Sequence, residues 1–138
     1  MQEYKSEVVF IEYPAERVFA KLSDLSNLES VKDVIPKDKV EEISFDRDSC
    51  HFKISPIGMI GLRIVERDPY STVKFESEQS PINFNVWIQI VEKDNSPGVC
   101  WMRLTLKADI PFMLKSMLGS KLEDAIIKAA QGLSRLKY

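Results

Sequence analysis

The chain has 138 residues, of which 44% are hydrophobic and 29% charged, with 19 basic and 21 acidic side chains and a formal net charge of −2. This balance suits a single soluble globular domain over residues 1–138 with a core that needs no disulfide or metal, and it excludes the basic field of a nucleic-acid binder. Met1–Ser6 is polar and charged, and no apolar run approaches the ~18 to 20 residues of a membrane span, so a cytoplasmic location without integral membrane contact is expected.

Lys5–Tyr13 is rich in β-forming residues, but Val8, Val9, Phe10 and Ile11 are contiguous, so periodicity cannot settle which of them face the core. Pro14 ends that strand and stands where a helix can begin, and Val18, Phe19 and Leu22 supply a short apolar stripe. Ser26, with Glu29 three residues on, has the spacing of a capping box for a second short helix over Asn27–Val34, which Pro36 closes.

Alternation then takes over. Val40–Phe45, Cys50–Ser55, Met59–Arg67, Thr72–Glu78, Asn83–Lys93 and Val99–Ala108 read as strands separated by short turns rich in Asp, Asn, Ser, Pro and Gly, the pattern of an antiparallel meander. Pairing Ile90 with Met102 aligns Ile88 with Leu104, Val86 with Leu106 and Phe84 with Ala108, all apolar and all on one face. The same logic places Val73, Phe75, Ile60, Leu62, Ile64, Phe52, Ile54, Ile43 and Phe45 on that face. Trp87, Trp101, Gln89, Arg103 and Lys107 fall on the other.

From Pro111 to Leu136, Met113, Leu114, Met117, Leu118, Leu122, Ala125, Ile126, Ala129, Leu133 and Leu136 recur at helical spacing. A helix of that length runs ~38 Å and needs an equally long apolar partner, which the sheet provides. The resulting expectation is an α+β cradle: a seven-stranded antiparallel sheet wrapped around a long C-terminal helix, with two short helices between its first and second strands.

Few groups carry chemistry. Cys50 and Cys100 lack metal-ligand spacing and read as free reduced thiols. His51 is the single histidine, and as a strand neighbour of Cys50 it points to the opposite face. Glu66 is the one acid placed as a candidate acid or base: paired with Val73 across the Asp68-Pro69-Tyr70 turn, its carboxylate would face the concave side near a rim. Neither a metal nor a cofactor is expected.

The order strand, two small helices, antiparallel strands and long helix resembles the helix-grip fold of the birch-pollen-allergen-like superfamily (SRPBCC), with its START domains and polyketide cyclase/dehydrase proteins. The likeness covers essentially the whole chain and is carried by VVFIEYPAERVFAKLSDLSNLE, IVERDPYSTVKFES, FNVWIQI and LKADIPFMLKSMLGSKLEDAIIKAAQGL. In length and spacing it is nearest to small bacterial single-domain members. Between its second and third strands the chain has Asp46-Arg47-Asp48-Ser49 where the pollen-allergen branch has a glycine-rich loop.

The resemblance implies a hydrophobic cavity between sheet and helix that takes an apolar small molecule or lipid. Its expected lining is Phe52, Ile54, Leu62, Ile64, Phe75, Phe84, Val86, Ile88, Met102 and Leu104 from the sheet, with Met113 and Met117 from the helix. A dry cavity of ~400 Å³ would cost on the order of 10 kcal/mol, so such a space should hold lipid or water. Two further readings stand beside the carrier: a cyclase or dehydratase using Glu66 and a cavity water, and a protein-interaction module, or a homodimer, built on the outer face at Trp87 and Trp101.

Overall fold

The structure is a computed structural model that describes residues 2–27, 40–54, 58–136 and 138, without the side chains of 40–42, 54, 114 and 117–119. Its strands are β1 (Gln2–Lys5), β2 (Val9–Ile11), β3 (Val40–Phe45), β4 (Ser49–Ile54), β5 (Gly58–Asp68), β6 (Thr72–Glu78), β7 (Asn83–Val91) and β8 (Cys100–Asp109); its helices are α1 (Ala15–Leu22) and α2 (Phe112–Ser134). All strands join one antiparallel sheet in the order β1-β8-β7-β6-β5-β4-β3, with β2 also paired to β8. The expected first strand is therefore two strands sharing one edge position. The second short helix, expected over Asn27–Val34, lies outside the described residues beyond Asn27, and Ser26 is held by Asp24, whose Oδ1 accepts from its N–H at 2.9 Å.

The division of the first strand has a local cause. Between the pairs Lys5/Thr105 and Val9/Met102 the chain takes four steps against three along β8, a bulge with one extra residue. Ser6 fills the gap: its N–H donates to the Leu104 carbonyl at 2.9 Å, and its Oγ accepts from the Leu104 N–H at 2.9 Å. A side-chain hydroxyl thus takes the place of a ladder carbonyl, and Ser6 can be buried at no polar cost.

The β7/β8 ladder has the register expected from the sequence, with Ile90 opposite Met102, Ile88 opposite Leu104, Val86 opposite Leu106 and Phe84 opposite Ala108. α1 begins directly after Pro14, and the Ala15 N–H donates to Glu92 Oε1 at 3.2 Å, so an acid on the far side of the sequence supplies the cap that proline cannot. Its buried residues Ala15, Val18 and Phe19 join the main apolar cluster. α2 runs back over the inner face against β8, β1 and β2. Cys50 and Cys100 are free and buried, on β4 and β8. Four interstrand spacings separate those strands, roughly 19 Å and far beyond disulfide reach.

Three expectations about facing are corrected. Met113, placed by helical periodicity on the inner stripe, is 85% exposed, and its neighbour Phe112 is 90% exposed. Ala125 is also exposed, which narrows the stripe to Leu122, Ile126, Ala129, Ala130 and Leu133. Glu66 pairs with Lys74 instead of Val73, because a bulge between Ile64 and Glu66 advances β5 by one residue. Arg67 takes the position opposite Val73, and Glu66 is exposed on the outer face.

Candidate functional site

The inner face of the sheet is a continuous apolar surface whose cover changes along its length. At one end, Ile11 stands opposite Cys100 and Val9 opposite Met102, with Ile90 on the other flank of Met102. Ile11, Cys100 and Met102 are essentially inaccessible. The last part of α2 closes this end: Ile126 and Ala130 are buried, and Tyr138 packs edge-on against Tyr13 at 5.8 Å and donates its hydroxyl to the Leu133 carbonyl at 2.7 Å.

The opposite end is built by Phe45 against Cys50, Cys50 against Leu62, Leu62 against Ser77, and Phe84 against Ala108. Here Phe45, Phe52, Leu62 and Phe84 are half-buried, as is Val86 in the next row, although Ile60, Ile82 and Ala108 beside them are covered. α2 starts at this end, directly after β8, with Phe112 and Met113 turned to solvent. The cradle therefore has a sealed end and an end where large apolar side chains remain within reach.

Of the expected lining residues, Ile64, Phe75, Ile88, Met102 and Leu104 are buried floor, Phe52, Leu62, Phe84 and Val86 are accessible wall, and Met113 stands outside. The Ile54 and Met117 side chains lie outside the described residues. Among the described residues no buried side-chain nitrogen or oxygen lacks a hydrogen-bond partner, and no group of histidine, cysteine or acidic residues could hold a metal ion.

The titratable groups near this face are tied into structure. Burial pushes the Cys50 thiol up to about 11. Burial, and then the charge of Glu92, do the same for Cys100. Burial, and then Cys100, raise Tyr138. His51 is on the outer face, its ring against Gly61 and its Nε2 3.1 Å from Glu78 Oε2. It is thus separated from Cys50 by the sheet.

Arg67 is the polar group that sequence reasoning missed. Its Nε donates to the Ser23 carbonyl at 2.9 Å, and its Nη2 is 2.6 Å from Asp48 Oδ1 and 3.5 Å from the Arg47 carbonyl. It pins the end of α1 to the β3/β4 hairpin. That hairpin is itself held by Asp46, whose carboxylate accepts from the Asp48 and Ser49 N–H groups.

The outer face carries a second feature. Trp101 meets Phe10 edge-on at 5.6 Å, and Val8, Phe10 and Val91 are 59%, 48% and 56% exposed. A depression of about 330 Å³ is lined there by Val8, Gln89, Val91, Lys93, Trp101 and Arg103. Another, of about 380 Å³, lies between α1 and Tyr138, beside Arg17 and Lys21.

No protein-family model matches the chain, and no curated protein matches it by sequence. Solved structures do. A truncated norcoclaurine synthase from Thalictrum flavum superposes with a TM-score of 0.71 at 11% identity, covering 97% of this chain and 91% of that one. A START superfamily protein from Mycobacterium smegmatis superposes with a TM-score of 0.64 at 13% identity over 96% and 94% of the two chains. The chain has the helix-grip fold. A conserved protein from Geobacillus kaustophilus shares this helix-grip architecture at a TM-score of 0.68 and 14% identity, over 97% and 93% of the two chains. At 11% identity, another norcoclaurine synthase structure from Thalictrum flavum is a complex with dopamine and hydroxybenzaldehyde. At these identities the agreement is one of backbone path, and the side chains of this chain must be read on their own terms.

Proposed function

We propose that the protein binds an apolar small molecule or lipid on the inner face of the cradle, admitted at the end where α2 begins. The observation that carries this reading is the set of half-buried Phe52, Leu62, Phe84 and Val86 facing inward at the end where Phe112 and Met113 leave the helix uncovered. Large apolar side chains left accessible in a concavity gain from any apolar occupant by about 25 cal/mol per Å² removed from water. The absence of orphaned buried polar atoms among the described residues favours recognition by shape over recognition by hydrogen bonds. A synthase of this fold crystallised with dopamine and hydroxybenzaldehyde supports a small-molecule occupant, and the apolar character proposed here rests on this chain's own wall residues.

The carrier reading is preferred to a cyclase or dehydratase because Glu66, the acid on which that chemistry would rest, is exposed on the opposite face. The test is titration of a fluorescent fatty acid or sterol analogue. Val86→Trp, which fills space at the accessible wall, should weaken probe binding at least tenfold while the thermal midpoint holds or rises. A wild-type protein that binds no apolar probe, with a strongly destabilised Val86→Trp variant, would mean that the wall is ordinary packed core.

A further inference from the structure

We propose that the outer face around Trp101 docks an acidic segment of a partner protein, with one apolar side chain of that segment seated between Val8, Val91 and Trp101. The apolar part of the argument is local. A solvated sheet face presents mainly polar groups, yet Val8, Phe10 and Val91 stand about half exposed around Trp101 and border a depression of about 330 Å³. That space is ample for one apolar side chain together with its flanking backbone, and tryptophan and arginine at its border are the residue types that most often anchor protein contacts.

The charge part fixes the kind of partner. Lys93 Nζ lies 4.5 Å from the Trp101 ring centre, and Lys74 and Lys107 lie 5.4 and 5.6 Å from that of Trp87. Arg103 reaches only a neutral group, Gln89 Oε1, at 3.4 Å. Among the described residues these four cations have no carboxylate within ion-pair distance, whereas Lys5 at the rim is held by Glu3 at 3.2 Å. Glu66 stands opposite Lys74 and Glu3 opposite Lys107 in the ladder, so the cations left without an acidic neighbour across the strands are Lys93 and Arg103, the two that border the depression.

Self-association fits poorly, since a two-fold contact through this patch would set the same cations against each other. A bilayer fits poorly too, because Val8 and Val91 line a depression, where a single inserted side chain meets more of them than a flat surface does. A carboxylate-bearing segment meets both halves at once.

The probe is a fluorescein-labelled pentapeptide of four glutamates around a central leucine, read by anisotropy at low salt. Its controls are the glycine-centred and the lysine-flanked versions. Wild type should bind the glutamate–leucine peptide at least tenfold more tightly than either control, and added salt should weaken it. Val91→Glu should abolish binding, and Lys93→Glu with Arg103→Glu should transfer the preference to the lysine-flanked peptide. Thermal melts should show both variants folded, and both should still bind the apolar probe on the inner face, which separates failure here from failure of the carrier reading. The proposal is overturned if wild type does not discriminate the three peptides, or if folded charge-reversed protein keeps its preference. It is equally overturned if the patch proves to drive association with anionic vesicles, or a dimer lost in Val91→Glu.

Discussion

The two ends of the cradle use the same kinds of side chain and differ in what lies over them. At the sealed end, Ile11, Cys100 and Met102 lie on the strands that α2 packs against, with Tyr138 in the same cluster and α1 beside them on β6 and β7. At the accessible end, Phe52, Leu62 and Phe84 are no less apolar but stand on β4, β5 and β7, whereas α2 packs chiefly on β8, β1 and β2 and begins with Phe112 and Met113 exposed. An apolar sheet face thus becomes core or binding wall according to its cover, and its sequence pattern alone is the same in both cases.

The sharpest way to break this contrast is truncation at the two ends. Leu104→Ala, at a buried position on β8, should cost ~2 to 5 kcal/mol in urea unfolding, the range for a core leucine. Leu62→Ala, on the half-buried wall, should cost about half as much, because much of its surface already meets solvent. Equal costs would mean that both ends are packed alike.

A second variant tests what fixes the sealed end. Arg67→Ala removes the ties to Ser23, Arg47 and Asp48, and should lower stability by about 1 kcal/mol, since the pair with Asp48 is partly screened by solvent. Arg67→Lys should not restore it, because an ammonium cannot span the same acceptors in one plane.

The smallest effect should appear in alkali. Burial holds both thiols near 11, whereas their ordinary value is 9.0, so between those values the folded protein binds more protons than the unfolded chain. Stability should then be constant up to about pH 9 and fall as the pH rises towards 11. Tyr138, also raised, adds to the loss. Amide exchange around Cys100 and Tyr138 should accelerate before that at Phe84, and a disulfide-exchange reagent at pH 8 should label neither thiol faster than the chain opens.

How much of this was legible in the sequence follows from where alternation is unbroken. β7 and β8 alternate without interruption, so a single assumed pair returned the observed register. Pro14 and the turn residues marked α1 and the hairpins for equally local reasons. The failures sit at bulges. Ile64-Val65-Glu66-Arg67 alternates acceptably in either phase, so nothing in it announces the extra residue that turns Glu66 outward and Arg67 inward. Met113 failed differently: periodicity assigns a helix face, but a helix end can run past its partner and leave that face bare. The outer depression joins β7 and β8 to the β1–β2 connection; alternation put Gln89, Trp101 and Arg103 on that face, but it could not bring Val8 beside them.

The bulge at Ser6 has a consequence for how the two surfaces are inherited together. Phe10 meets Trp101 on the outside, and its neighbour Ile11 fills the core beside Cys100. Their assignment to opposite sides depends on the count of residues between Lys5 and Val9. Closing the bulge with every residue kept would set Val8 opposite Met102 and Phe10 opposite Cys100, driving a phenylalanine ring into space shaped for isoleucine and stripping Trp101 of its companion. Substitutions can tune either surface alone, but loss of the bulge alters both in one event.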